Sequence, residues 1–319
     1  MAIHLALSGF GLGASPAALA AQGLPPYASL NPVVEMRSGL STLPRLEPGA
    51  LWHAQVTTDY GSLIEYTAVT QEKFVLDAEI FSTRVSVARA VGGHGFVLAG
   101  ITWSQAGDGQ LDGLFDAYHD LIGVTVTGRD LRPENDFAYR FAVGQHEFEY
   151  EKASGFLGDL RVGAGLRHHD DWQSVFSVTL PTGTAPDGYR KGVASANLTT
   201  LVHRDFGREA RYGYEGTFGV GVTPRRGELQ DWQRTTFFLV AQGMRARLLG
   251  PLQAYANVVF VTPYYRDTGI PELNLHELTL DLGALVRFAA GPTWLAGMTQ
   301  DLAPHGPAVD VVFRLGAYW

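Results

Sequence analysis

From residue 50 onward, hydrophobic and polar positions alternate with a period of two, which is typical of β-strands whose two faces meet different surroundings. In the segment 274–288, leucine, alanine, valine and phenylalanine occupy one face, and acidic, basic and hydroxyl side chains occupy the other. The segments 51–60 and 309–319 divide their residues in the same way. The pattern predicts strands for most of the chain, because a helix would repeat its apolar positions every three or four residues.

Twelve segments carry this alternation, so we expect about twelve strands, within a range of ten to fourteen. The predicted strands are 51–60, 73–90, 95–104, 158–167, 172–181, 194–204, 212–222, 235–246, 251–262, 274–288, 293–301 and 309–319. In the second of them the alternation changes phase near Phe81–Thr83, which indicates a β-bulge.

The connections between the predicted strands alternate in length. The short ones are 91–94, 168–171, 205–211, 247–250 and 289–292. The intervening ones are mostly longer and polar, and they are 61–72, 105–157, 182–193, 223–234 and 263–273, with only 302–307 short. Bacterial transmembrane barrels have short periplasmic turns and longer outer loops, and their strands of about ten residues cross the bilayer at a tilt.

We therefore predict an all-β fold, a transmembrane antiparallel up-and-down β-barrel. A soluble β-sandwich or lipocalin-like barrel is the alternative, since its strands alternate as well. In a soluble protein, however, the polar face would point outward and carry many charges. Here the polar faces are modest in charge and rich in glycine, threonine, serine and glutamine, which is typical of an aqueous lumen and favours the membrane barrel.

Aromatic side chains gather near the ends of the predicted strands, where the interfacial girdles of membrane barrels lie. They are Trp52, Tyr60, Trp103, Trp172, Tyr264, Tyr265, Trp294 and Trp319. The last of them ends an alternating apolar strand. An aromatic residue in that position resembles the C-terminal signal that the assembly machinery of outer-membrane proteins reads.

Composition excludes several other classes of protein. The 319 residues are only 18% charged, against about 25% in typical soluble domains, and 46% are hydrophobic. A formal net charge of −8 argues against a nucleic-acid partner. The absence of cysteine excludes a disulfide scaffold, a thiolate metal site and a cysteine nucleophile.

The N-terminal 49 residues do not alternate, and they divide into two parts. Residues 1–21 are apolar or small and end in small-x-small cleavage patterns, so we expect a signal peptide, although no basic region precedes the apolar stretch. An ordinary core helix is the alternative. We expect the segment 22–49 to be periplasmic or plug-like and residues 50–319 to form the barrel.

A block in the longest loop is similar to a known family. Residues 110–124 read QLDGLFDAYHDLIGV and are followed by Gly128-Arg129-Asp130 and Pro133-Glu134-Asn135. This block resembles the bacterial family DUF3187, and Leu76-Asp77-Ala78-Glu79 resembles a second stretch of it, with Ala78 in place of glycine. The similarity extends from about Asn31 to the C-terminus. It implies an outer-membrane barrel and no established activity.

The segment 110–122 predicts a helix inside the loop 105–157, because its apolar residues follow a helical period. Asp112, Asp116 and Asp120 are spaced by four residues and repel each other, so a nearby cation is expected to compensate them. Three interpretations remain open: a helix in the barrel mouth held by pairs with arginines such as Arg129, a solvated helix on the outer surface, and a metal or catalytic site that includes His119.

The sequence contains no P-loop, no His-Glu-x-x-His motif and no Gly-x-Ser-x-Gly motif. The run His168–Asp171 has the composition of a metal site but falls in a predicted short turn. Ser104 lies at a predicted barrel rim, where His119 could approach it as in outer-membrane lipid hydrolases. An enzymatic role is therefore less favoured than a non-enzymatic one, and we expect no metal or other cofactor.

The leading hypothesis is a channel or passive transporter for small polar solutes in the outer membrane of a Gram-negative bacterium. A lipid-modifying hydrolase and a non-conducting structural or interaction barrel are the alternatives. The expected partners are outer-membrane lipid, lipopolysaccharide and the barrel assembly machinery. The residues expected to line or constrict the lumen are His53, Gln55, Asp59, Asp112, Asp116, His119, Asp120, Arg129, Arg161, Arg167, Glu277, Asp281, Arg287 and Arg314.

Overall fold

A computed structural model of the protein describes residues 23–69, 71–123, 133–288, 291–303, 306–307, 309 and 311–319. The described residues form the strands β1 (Trp52–Val69), β2 (Gln71–Val91), β3 (Gly95–Gly107), β4 (Ala138–Val143), β5 (His146–Glu149), β6 (Ala153–Leu157), β7 (Leu160–His169), β8 (Trp172–Leu180), β9 (Ser195–Phe206), β10 (Tyr212–Val222), β11 (Thr236–Leu249), β12 (Leu252–Val261), β13 (Glu277–Arg287), β14 (Thr293–Asp301) and β15 (Val311–Tyr318). They also form the helices α1 (Pro32–Glu35), α2 (Asp112–Ile122) and α3 (Pro271–Asn274), with a 3-10 turn at Arg208–Ala210. None of the helices in these ranges is long and apolar enough to span a bilayer. The expected signal peptide, residues 1–21, lies outside the described residues.

Twelve of the strands close into a barrel in which all neighbours are antiparallel. Each strand pairs with the next, with β7 following β3, and β1 closes the circle by pairing with β15. Asp59 lies opposite Arg314 across this seam, and Trp319 exchanges backbone hydrogen bonds of 2.9 and 3.2 Å with Ala54. The predicted twelve-stranded antiparallel barrel is confirmed. Closure pairs the backbone polar groups of every strand, as a hydrocarbon environment requires.

The hairpin of β1 and β2 is longer than the sequence pattern indicates. Pairing continues to Val69 opposite Gln71, so residues 61–69, 71 and 72 of the predicted loop 61–72 are strand, and the bulge lies between Thr67 and Ala68. The register is continuous through Phe81–Thr83, and the bulge predicted there is wrong. Side chains on both faces of this outer part of the hairpin are buried, and the strict alternation is therefore lost.

In the described part of the segment 105–157, three short strands form where the sequence predicts only a loop and a helix. β4 pairs with residues 74–77 of β2, and β5 pairs with β4 as a hairpin. β6 pairs with the end of β3. The extended β1–β2 hairpin offers a free edge beyond the barrel rim, and this added sheet satisfies its backbone groups.

The outside of the barrel carries an exposed apolar band bounded by aromatic residues. The band includes Val85, Val97, Phe176, Phe218 and Leu315, each more than a third exposed. Exposed tryptophans lie at or near strand ends, namely Trp52, Trp103, Trp172, Trp294 and Trp319. Tyr264 and Tyr265, which the sequence places in the same girdle, are instead buried inside, where Tyr264 packs 5.3 Å from Phe237 between ring centres.

Candidate functional site

Residues 23–49, called the inner segment below, lie inside the barrel and run along its length twice. Near the end that carries the short turns, the backbone N–H of Leu24 donates to Glu215 of β10 (3.1 Å). Farther along, the Tyr27 hydroxyl donates to Glu277 at the start of β13. The chain reverses at α1 near the end that carries the long loops and returns, with Thr42 N–H donating to the Tyr27 carbonyl (3.0 Å) between the two arms.

The reversal of the inner segment is fastened to the long-loop end by polar side chains. Asn31 caps α1 and also donates from its amide to Glu65 (2.6 Å) and to the carbonyl of Pro307 (2.9 Å). The fully buried Arg37 donates to three carbonyls, those of Thr223, Pro224 and Arg234, at 3.1, 3.1 and 2.7 Å. Together these bonds hold the reversal of the inner segment to the long-loop end of the barrel.

The returning arm passes β9, β8 and β7 and makes side-chain contacts with the wall. The Gly39 carbonyl accepts from Asn197 (3.2 Å), and the Ser41 hydroxyl accepts from Arg161. Closer to the short-turn end, Arg167 donates to the Glu47 carbonyl (3.3 Å). Among the described residues, no backbone-to-backbone hydrogen bond joins the inner segment to a barrel strand.

The wall that the inner segment meets is not uniformly polar. Near the long-loop end, inward-facing apolar residues of β11 and β12 pack with Val33, Val34 and Leu40 of the segment in one hydrophobic cluster. These wall residues are Phe237, Leu239, Ala241, Val259 and Val261. The polar lumen predicted from the sequence therefore extends over only part of the barrel. Near the long-loop end the inward positions of β11 and β12 are apolar, and the inner segment covers them.

A buried ion cluster spans the seam where the barrel closes. Arg314 of β15 donates from Nε to Asp59 of β1 (2.6 Å) and from Nη1 to Asp281 of β13 (3.1 Å). The Tyr255 hydroxyl donates to the other oxygen of Asp281 (3.2 Å). All three charged side chains are at most 1% exposed. The cluster ties three strands together through one guanidinium, whose fork geometry suits two carboxylates.

The inward phase of the strands places nine of the predicted lumen residues inside the barrel. They are His53, Gln55, Asp59, Arg161, Arg167, Glu277, Asp281, Arg287 and Arg314. Several of them contact the inner segment or each other instead of lining an open path. A role for these residues in bounding a solute path stays a prediction.

The helix α2 lies against the outside of the wall, and not in the barrel mouth. Phe115 stacks on Tyr60 and on Phe313, at 6.3 and 5.4 Å between ring centres. Both partners face outward, since Asp59 and Arg314 beside them face inward. The outward-facing Glu79 accepts the backbone N–H groups of Gln110 and Leu111 just before the helix (3.0 and 2.9 Å).

The acidic residues of α2 consequently do not reach the lumen. Asp112 is buried and accepts the backbone N–H of Asn135, Asp116 is partly buried and Asp120 is exposed. The side chain of His119 and residue Arg129 lie outside the described residues. The apolar period of the helix predicts its buried stripe correctly at Phe115, but the sequence gives no sign of which side of the wall it covers.

Replacing Phe115 by alanine should loosen α2 without opening the barrel. The side chain is 2% exposed and fills the space between two aromatic rings, and truncating such a residue costs about 3–5 kcal/mol. Hydrogen exchange of residues 112–122 should accelerate strongly while that of β1 and β15 stays slow. Leu114→Ala serves as the control, because Leu114 is 51% exposed. Equal acceleration in both variants would contradict the packing.

A cavity of about 170 Å³, called the inner chamber below, lies between the inner segment and the wall formed by β2, β3 and β7. Its charged lining consists of Glu35, Arg84, Asp159, Arg161, Arg190 and Lys191. Burial lowers the pKa of Lys191 to about 8. Burial likewise raises the pKa of Glu35, against the opposing effect of nearby Lys191 and Arg84.

Sequence reasoning identified only Arg161 among these chamber residues. Arg84 lies on the same face of its strand as Ser82 and Ser86, and that face points into the barrel. The sequence therefore carries a signal for Arg84, but the bulge predicted at Phe81–Thr83 obscures which face of the strand points inward. Lys191 and Glu35 lie outside the barrel strands, so no periodicity could place them. Arg37 was missed for the same reason.

The sites considered for chemistry do not assemble among the described residues. The Ser104 hydroxyl shares a hydrogen bond of 3.0 Å with Ser82. The His168 ring bonds to Ser174 (3.1 Å) at a short turn. Within the described ranges, no three histidine, aspartate or glutamate residues are grouped so that they could hold a metal ion.

The barrel is similar to solved membrane barrels at low sequence identity. The COG4313 outer membrane channel from Pseudomonas putida F1 matches with a TM-score of 0.54 and 11% identity, over 86% of this chain and 99% of that one. The β domain of the Bordetella autotransporter Brka matches with a TM-score of 0.46 and 12% identity, over 85% and 99%. The toluene transporter TodX from Pseudomonas putida gives 0.41 and 9%, over 84% and 88%.

At these identities the likeness to solved structures concerns the fold alone. A search among curated proteins finds no match. A family model matches residues 10–318, nearly the whole chain, and its description is a protein of unknown function, DUF3187. The chain therefore belongs to the DUF3187 family, as the residues of its longest loop indicate.

Proposed function

We propose that this protein is a channel of the bacterial outer membrane whose lumen is closed by the inner segment. The observation that carries the proposal is the way the segment is held. Hydrogen bonds that involve side chains attach the segment to the barrel wall. Among the described residues, no backbone-to-backbone hydrogen bond joins it to a strand. The segment can therefore leave or shift without breaking the barrel wall.

The location in the outer membrane is supported by the outside of the barrel. A closed antiparallel barrel with an exposed apolar band and tryptophans near its strand ends suits a bilayer and its two interfaces. The structural neighbour with a TM-score of 0.54 is described as an outer membrane channel, which agrees with this placement.

Passage of small polar solutes is supported by the inward side chains near the short-turn end. His53, Gln55 and Arg167 present hydrogen-bonding groups and a positive charge to any path that opens there. Such a wall favours solutes that can form hydrogen bonds and are small enough to pass.

A reversible disulfide between the inner segment and the wall tests the proposal. A Cβ atom placed on Gly39 would lie 2.8 Å from Oγ of Ser195, so Gly39→Cys with Ser195→Cys brings two thiols within bonding reach. The chain has no other cysteine. In planar bilayers we expect the oxidised variant to conduct at least tenfold less than the same channels after reduction.

The single variants Gly39→Cys and Ser195→Cys are the controls, and their conductance should not respond to reductant. Equal conductance of the oxidised and reduced double variant would show that solutes bypass the inner segment and would contradict its role as a closure. No conductance under either condition would contradict the channel itself and favour a structural barrel.

A further inference from the structure

The inner chamber holds positive charges that the described protein groups do not neutralise. Arg161 donates from Nε and Nη2 to the Ser177 hydroxyl (3.0 and 2.9 Å) and from Nη1 to Ser41. Lys191 donates to the Ser195 hydroxyl (3.0 Å). Within the described residues, neither cation has a carboxylate oxygen within 4.0 Å.

The third chamber cation, Arg84, has a carboxylate only at the limit of contact. Its Nη1 lies 3.9 Å from Oδ2 of Asp59, whose other oxygen is already bonded to Arg314. Among the described residues no closer partner of the Arg84 guanidinium is found, so its N–H donors can serve a ligand in the cavity. Its side chain is 17% exposed, and it lines the inner chamber.

The acidic groups of the chamber compensate these cations incompletely. Asp159 already accepts the backbone N–H of Gly183 (3.0 Å). Glu35 is the other carboxylate of the chamber, and burial raises its pKa. Two carboxylates therefore face three cations, Arg84, Arg161 and Lys191. The remaining cation, Arg190, pairs with the exposed Asp187 at 2.6 Å.

Buried cations without a matching anion lower the stability of a protein, and an incoming anion relieves that cost. Guanidinium groups match planar carboxylates with two parallel hydrogen bonds. The lining of the chamber also includes apolar residues, among them Ile80, Leu98 and Phe156. The chamber thus offers a cationic part for a head group and an apolar part for a small body.

We propose that the inner chamber is a binding site for small carboxylic acids with a short apolar body, with Arg84, Arg161 and Lys191 holding the carboxylate. The volume of about 170 Å³ admits a ligand of this size. The proposal rests on the proposed channel function, because the site lies between the inner segment and the wall and names the solute class that the channel accepts.

Titration calorimetry of the intact protein in detergent, with benzoate as the probe, tests the site. We expect one benzoate per chain, and binding of the neutral analogue benzamide that is at least tenfold weaker. Inorganic phosphate should also bind at least tenfold more weakly than benzoate, since it lacks the apolar body. Equal affinity for benzoate and benzamide, or for benzoate and phosphate, would overturn the proposal.

The variants Arg84→Gln and Lys191→Gln should each weaken benzoate binding by about tenfold or more, since each removes a charged hydrogen-bond donor. Arg208→Gln is the matched control, because the Arg208 side chain is 95% exposed at a short turn, and its affinity should not change. An unchanged affinity in both chamber variants would overturn the assignment.

The outcome separates this site from the channel function. Benzoate binding with no conductance in bilayers would support the site and contradict the channel. Conductance with no benzoate binding would support the channel and overturn the site.

Discussion

Replacement of Arg314 by methionine is expected to lower the free energy of unfolding by about 3–5 kcal/mol, the cost of breaking a buried ion pair by removing one partner. Arg314 forms ion pairs with Asp59 and Asp281, which are 1% and 0% exposed. The variant leaves two carboxylates buried without their cation, at the seam where the first and last strands close the barrel. Urea unfolding in lipid vesicles, followed by tryptophan fluorescence, measures the loss.

Two controls make this expectation specific to the ion cluster. Arg208→Met removes an arginine that is 95% exposed and should change the free energy of unfolding by less than about 0.5 kcal/mol. The triple variant Arg314→Met, Asp59→Asn and Asp281→Asn should recover much of the loss, because it removes the unpaired charges together. A loss in Arg314→Met no greater than that in Arg208→Met would contradict the structural importance of the cluster.

Replacement of Arg37 by methionine is expected to increase the open probability of the proposed channel by tenfold or more. Arg37 fastens the reversal of the inner segment to three carbonyls at the long-loop end. A hydrogen bond to a charged group contributes about 1.5–3 kcal/mol, and a tenfold change in an equilibrium needs about 1.4 kcal/mol. Loss of these bonds should therefore shift the equilibrium between closed and open lumen, which single-channel recording in planar bilayers measures.

Arg226→Met provides the matched control for the Arg37 experiment. Arg226 lies in the same long connection as Pro224 and donates to Gly192 on the exposed side. Its loss should leave the open probability unchanged, whereas Arg37→Lys, which keeps the charge with fewer donors, should give an intermediate value. A wild-type open probability in Arg37→Met would show that the reversal of the segment is not where the closure is held.

Most of the barrel could be predicted from the alternation of side chains along the chain. The inward phase of β1, β13 and β15 places Asp59, Asp281 and Arg314 on the inside by sequence alone, because a strand sends alternate residues to opposite faces. The twelve-stranded closure followed from the number of such segments and the sorting of their connections. The resemblance to the DUF3187 family rests mainly on one loop, with a second stretch at Leu76–Glu79, and it agrees with the barrel.

The pattern failed where both faces of a strand are covered. The outer part of the β1–β2 hairpin is buried on both sides, so Leu63 and Ile64 do not alternate with exposed residues, and the pattern predicts a loop there instead of a strand. For helix α2 the reason is different. The sequence shows the apolar period of the helix, but it does not show whether the helix covers the inner or the outer face of the barrel. A periodic pattern indicates that one side of a helix or strand is buried, but it does not indicate which other element covers that side.

The sequence by itself determined the wall of this barrel, because alternate residues of each strand face the inside and the outside and differ in polarity accordingly. Only the tertiary structure decided what occupies the interior of the barrel. The inner segment has no periodicity, and it binds inside through scattered contacts, such as those of Tyr27, Asn31 and Arg37, whose partners lie up to 276 positions away in the chain. Contacts between positions so far apart follow from closure of the barrel, and no local pattern encodes them.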